Sequence, residues 1–219
     1  MERKTNLPRD TRPYYQLFET PQQKAELEAR NGLLQFDEVL RLVDSAAKDP
    51  FRLRPSTIQS LHRIAIQDIY VCAGNYRTSP VKIENTTHQP PPWADISRLV
   101  EDLCEYVNNN WEKSPIHLAA YVMWCLNWIH PFAGGNGRTS RAASYLVLCA
   151  RLGYRLPGTR SIPEQIVANR QPYYGALDRA DEAFAKGQLD VGVMEDLLSE
   201  MLALQLVEVH KKAVGEKDK

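Results

Sequence analysis

The chain has 219 residues, 43% of them hydrophobic, which is enough for one globular domain and a modest extension but not for two full domains. Lys plus Arg and Asp plus Glu each number 27, so the formal net charge is zero and no global field favours nucleic acid or an anionic membrane surface. The opening Met1-Glu2-Arg3-Lys4-Thr5-Asn6 lacks a signal-peptide apolar run, and the apolar stretches break short of the roughly 18 residues of a bilayer span, so a cytoplasmic, soluble protein is expected.

In chain order, Asn6 to Pro21 carries Pro8, Pro13 and Pro21 with little periodicity and reads as an extended arm, followed by an amphipathic helix from Leu33 to Val43. Residues 1–50 thus form an N-terminal arm and helix, a candidate regulatory segment. Between Gly74 and Trp93 the helical period fails. There Val81-Lys82-Ile83 alternates between Pro80 and the run Pro90-Pro91-Pro92, which predicts a short edge strand or β-hairpin whose free edge could pair with an extended peptide. A solvated connector is the plain alternative.

Ile96, Leu99, Val100, Leu103 and Val107 recur at helical spacing and predict an amphipathic helix over Ala94–Asn109. Ser114-Pro115 suits the cap and first turn of the next helix, whose apolar residues to Ile129 surround the axis and imply burial. A second apolar segment runs from Ala142 to Leu152. Ser161-Ile162-Pro163-Glu164 starts a shorter helix, and residues 193–219 form a last helix, Met194 to Lys211, with a charged tail. Its stripe Leu197, Leu198, Met201 and Leu204 serves either packing or a homodimer contact. Cys72, Cys104, Cys125 and Cys149 lie apart among apolar neighbours, which favours reduced, buried thiols over disulfides or a zinc site.

The most informative run joins the two apolar segments: His130-Pro131-Phe132-Ala133-Gly134-Gly135-Asn136-Gly137-Arg138-Thr139-Ser140-Arg141. Gly134, Gly135 and Gly137 can adopt φ > 0, so successive amides can line one concavity at the positive end of the following helix, a setting for phosphate. Arg138 and Arg141, three apart, can hold separate phosphate groups by forked hydrogen bonds. His130 is the group in the run able to accept a proton near neutral pH. No Lys-Ser or Lys-Thr follows the glycines, so this is not a Walker A loop. Phe132 reads as the loop's anchor in the core.

This run resembles the signature of the Fic (Fido) family, His-Pro-Phe-x-(Asp or Glu)-Gly-Asn-Gly-Arg-x-x-Arg, departing from it at Gly134. Ala73-Gly74-Asn75-Tyr76-Arg77, Val81-Lys82-Ile83 and His88-Gln89-Pro90-Pro91-Pro92 resemble the family's flap region, and Pro172-Tyr173-Tyr174-Gly175-Ala176-Leu177 its adenine-side segment. The resemblance implies a mainly α Fic-type helical bundle with a short β-hairpin flap, the Fic domain occupying residues 51–192. It implies transfer of AMP from ATP to a Ser, Thr or Tyr hydroxyl of a target protein, with His130 as base. Gly135, Asn136, Gly137, Arg138, Arg141 and Tyr174 would bind the nucleotide, and Val81, Lys82 and Ile83 would dock the target.

Mg²⁺ or Mn²⁺ is expected with the ATP, but the family's metal-binding acid falls at Gly134, which has no side chain, so no residue is assigned to metal. Asp181 stands where many members have Asn, and a carboxylate can only accept hydrogen bonds. Many members carry an autoinhibitory helix whose glutamate pairs with the second motif arginine, here Arg141. No such sequence precedes this motif, Glu28-Ala29-Arg30-Asn31 being a loose candidate, so restraint by an antitoxin-like partner, or none, stays open. The rival readings are transfer of another phosphate-linked group such as UMP or phosphocholine, a nucleotide-binding pseudoenzyme, and a Cys–His nucleophilic enzyme.

Overall fold

The computed structural model describes residues 16–83, 86, 88–158 and 160–213; the arm expected from Asn6 is described only from Gln16 onward. Among the described residues eight α-helices follow one another: α1 (Pro21–Ala46), α2 (Pro55–Ile66), α3 (Ile96–Asn109), α4 (Pro115–Ile129), α5 (Asn136–Leu152), α6 (Ile162–Ala168), α7 (Gln171–Ala185) and α8 (Gly192–Ala213). The mainly α expectation holds.

The antiparallel pair α4 and α5 is the centre, with α1 and α2 against α5, α3 and α7 against α4, and α8 across α4, α6 and α7. The reason is in the residues. From Leu118 to Leu126 every position of α4 is buried, as is the stretch Ala142–Ala150 of α5, so neither helix has a wet face and both must be covered on all sides. Ser114 Oγ accepts the His117 amide at 3.0 Å and fixes where α4 begins. The loop between these two helices is therefore held at one end of the core, where Phe132 is fully buried.

Several boundaries differ from the sequence expectation. α1 starts at Pro21, twelve residues before Leu33, because Thr20 and Gln23 form a reciprocal capping box around that proline. α2 and α7, which apolar spacing alone did not single out, are each opened by a proline in the first turn. On α8 the inward stripe is Met194, Leu198, Met201 and Gln205, while Leu204 is 53% exposed. Gln205 takes the inner position because its Nε2 donates to Pro157 O at 2.8 Å. Cys104, Cys125 and Cys149 are free and buried as expected, and Cys72 is free and half-buried.

The described residues of the flap form no strand. Among the described residues the single β-bridge pairs Gln16 with Tyr70, outside that segment. The segment is organised instead around the buried guanidinium of Arg77, which donates to the carbonyls of Ser79 (3.2 Å), Pro91 (2.6 Å) and His130 (2.8 Å). Pro80 and the three prolines from Pro90 lack the amides a ladder needs, and a buried charge needs several acceptors, so the carbonyls turn inward to Arg77.

Candidate active site

His130 is the C-cap of α4 and holds φ 49°, a left-handed conformation that costs energy in a residue with a Cβ. Arg77 stabilises that turn from both sides. Its Nε–H donates to His130 O, and its backbone amide donates to Pro131 O at 2.9 Å. The imidazole Nδ1 lies 3.3 Å from Asn127 O, a carbonyl that can only accept, so the proton belongs on Nδ1 and Nε2 is left as a bare acceptor. Burial, with Arg77 and His88 nearby, pushes the His130 pKa down to about 4. At neutral pH the ring is therefore an uncharged base.

Beyond the turn, the Asn136 side chain ties the loop together: its Oδ1 accepts the Phe132 amide at 2.9 Å and its Nδ2 donates to Phe132 O at 2.8 Å. Of the three glycines expected to allow φ > 0, only Gly135 uses it, at 77°. Gly137 lies inside α5 and matters for another reason, since a Cβ there would come 3.2 Å from an Arg141 nitrogen. The first amide of α5 to bond backward is Thr139, to Gly135 O at 3.0 Å, so the amides of Asn136, Gly137 and Arg138 precede the helix ladder and point out of its positive end.

The two arginines are not equivalent. Arg138 turns toward α1 and α2, with Nη2 3.3 Å from Glu28 Oε1 and Nη1 donating to Ala65 O at 3.3 Å. Arg141 is half-buried and has no acceptor among the described residues, and burial together with Arg170 and Arg138 lowers its pKa. A desolvated cation facing other cations is poised for an anion.

A cavity of about 190 Å³ opens beside His130, lined also by Ile83, Thr86, Asn127, Trp128, Tyr174 and Leu177, with the polar groups His88, Asp178 and Asp181 in the same lining. Of the flap residues expected to act together, Ile83 lines this cavity, Val81 is half-buried elsewhere and Lys82 is exposed. Tyr174 lines it at 45% exposure. Asp181 accepts from Trp124 Nε1 at 2.8 Å and lies 3.5 Å from His88 Nδ1, and burial raises its pKa above the usual carboxylate range. Asn127, Trp128 and His88 were not legible as site residues, because their roles come from contacts across the fold: Asn127 Nδ2 donates to Ser140 Oγ and Tyr173 Oη, both at 2.8 Å.

A protein-anchored divalent cation does not fit the residues present. Gly134, at the ligand position implied by the motif, carries no side chain, and among the described residues no group of three or more His, Cys, Asp or Glu could hold a metal ion. Burial raises the pKa of all four thiols, Cys104 and Cys125 to about 12, which counts against the Cys–His nucleophile reading.

Comparison with known proteins agrees with this geometry. Residues 52–148 match the model of the Fic/DOC family. The chain is 30% identical over 159 residues to the protein adenylyltransferase Fic of Drosophila persimilis, an alignment covering 71% of this chain and 30% of that protein. It thus spans about a third of the length of the curated relatives it matches. Among solved structures, a Fic-domain-containing signaling protein from Bacteroides thetaiotaomicron superposes with a TM-score of 0.70 at 22% identity, over 88% of this chain and 76% of that one. A Fic family protein from Desulfovibrio desulfuricans gives 0.64 at 20% identity, over 92% and 57%. These two show a shared fold. The match to the family model and the 30% identity to the Drosophila protein, with the motif over residues 130–141 seated between the two central helices, identify the chain as a Fic-domain protein.

Proposed function

We propose that the chain transfers AMP from ATP to a Ser, Thr or Tyr hydroxyl of a target protein. The observation that carries the reading is His130, a neutral base that lines a cavity with Nε2 left as an acceptor, a few residues before the first amides of α5 and before Arg141, which has no acceptor among the described residues. The hydroxyl oxygen would attack the α-phosphorus as its proton passes to His130 Nε2, and the bond to the β-phosphate oxygen would break to release pyrophosphate. The α5 amides, Arg138 and Arg141 would hold the phosphates and their developing charge. Tyr174, Leu177 and Ile83 would flank the nucleoside in the cavity, leaving the flap to position the target.

A second reading rests on Gly134. Without a carboxylate there, the same nest suits a nucleotide-binding pseudoenzyme or transfer of another phosphate-linked group. Mg²⁺ is often held largely by substrate phosphates, so a divalent ion would arrive with ATP rather than be stored by the protein. Restraint by an antitoxin-like partner and formation of a homodimer through α8 belong to the same proposal. Titration calorimetry of ATP and AMP against wild type and Arg141→Ala tests the phosphate arrangement. Loss of at least about tenfold in ATP affinity, with a smaller loss for AMP, is the expected result. Equal affinities before and after the substitution contradict it.

A further inference from the structure

His62 on α2 lies outside the motif, yet it is fully buried and both of its ring nitrogens are engaged by backbone from two separate segments. The Gly74 amide lies 3.0 Å from Nδ1, and because an amide can only donate, Nδ1 must carry the lone pair. The proton is thereby placed on Nε2, which donates to Gly134 O at 2.9 Å. The ring stacks on Phe132 with centroids 3.6 Å apart and 8° between planes, so it cannot rotate out of this arrangement without leaving the core. The next residue rests on the same surface: a Cβ at Gly135 would meet Ile66 Cγ2 at 2.8 Å and the His62 ring at 3.4 Å.

These contacts act on one peptide plane. The Gly134 carbonyl and the Gly135 amide belong to the same planar unit, so fixing the oxygen on α2 fixes which way that unit faces at the threshold of α5. We propose that His62 is a positioning residue: its Nε2–H holds the Gly134 carbonyl and so presents the α5 amides in phosphate-binding orientation, without touching the nucleotide. The proposal rests on the nucleotide reading of that loop and adds its support from α2. Burial, with Arg138 and Arg63 nearby, also pushes the His62 pKa down to about 4, which keeps this single tautomer at neutral pH.

Two substitutions separate the ring's two bonds. His62→Gln places an amide nitrogen near Nε2 and retains the donor to Gly134, whereas His62→Asn places an oxygen near Nδ1 and retains the acceptor for Gly74. Each loses one buried hydrogen bond, so a purely structural role predicts similar losses in both. A positioning role predicts divergence: ATP affinity by calorimetry falls about tenfold or more in His62→Asn and stays within about threefold of wild type in His62→Gln. Amide hydrogen exchange at 135–137 in nucleotide-free protein is faster in His62→Asn alone. Equal affinities or equal exchange in the two variants overturn the proposal. Should wild type bind no ATP, the nucleotide reading fails, while the exchange comparison still decides whether His62 orders the loop.

Discussion

Glu28 of α1 lies 3.3 Å from the Arg138 guanidinium, so an N-terminal helix supplies a carboxylate to the loop assigned to phosphate. It reaches Arg138 and not Arg141, which is where the inhibitory glutamate of the family resemblance would be expected. Arg30 and Asn31, beside it in the sequence, are spent on structure, bonding Asp68 at 2.7 Å and Gln67 O at 2.8 Å. α1 packs along α2 and α5, so the carboxylate is carried by an integral helix. An ATP phosphate must share Arg138 with Glu28 or displace it. Because the pair is partly exposed, its strength is of the order of 0–1 kcal/mol. Glu28→Gln is therefore expected to tighten ATP binding by about two- to fivefold, an advantage that shrinks as salt is raised. Unchanged calorimetric affinity shows that Glu28 does not compete.

The departure at Gly134 is open to direct repair. Its backbone is not in the left-handed region, and a Cβ there meets nothing within 4 Å, so a Cβ brings no clash and no backbone strain. Gly134→Asp should leave the melting temperature within about 2 °C of wild type and raise Mg²⁺-dependent transfer by at least about tenfold, equivalent to 1.4 kcal/mol in the barrier. A stable variant with no such gain means that this position does not anchor the cation.

The stability of the protein should fall with acid in a defined window. His62 and His130 are both held near 4, below the 6.5 of an unfolded histidine, so between these values the unfolded chain binds more protons. Stability is then fully present above about pH 6.5 and is lost as pH falls toward about 4, each group contributing a slope approaching 1.4 kcal/mol per pH unit. Asp181, raised by burial, acts in the opposite sense and blunts the effect. Urea midpoints measured across that range should show a shallower slope in His62→Gln. The same slope in both proteins contradicts the assignment.

In the lining of the cavity Asp181 presents an acceptor oxygen 3.5 Å from His88, which suits a base that carries an exocyclic amine. ATP should bind at least about tenfold tighter than inosine triphosphate, whose 6-oxo group brings an acceptor to an acceptor. Asp181→Asn, able to donate as well as accept, should narrow that ratio to about threefold or less. A ratio untouched by the substitution places the base elsewhere.

The parts of this site that could be read in the sequence are those whose reason is local. His130, the glycines and the arginines fall in one run, and the apolar residues around α4 and α5 announce their own burial. The capping pattern Thr20-Pro21-Gln22-Gln23 was also available, and it places the start of α1 better than the apolar period does. The expected hairpin has no strand among the described flap residues, because alternation in three residues says nothing about a guanidinium that gathers carbonyls from both sides of the segment. His62, 72 residues before the carbonyl it holds, and Asn127, whose partners lie on α5 and α7, owe their roles to long-range packing that no local pattern records.

Intact-mass measurement of the purified chain incubated with ATP and Mg²⁺ tests the central claim most directly, because self-modification reports transfer without a known target. Wild type, Gly134→Asp and His130→Ala are compared under one condition. Covalent addition of AMP to wild type, increased in Gly134→Asp and reduced at least tenfold in His130→Ala, is the expected result. Absence of any adduct on both wild type and Gly134→Asp, or an adduct that persists undiminished in His130→Ala, contradicts the assignment of His130 as the base of an AMP transferase.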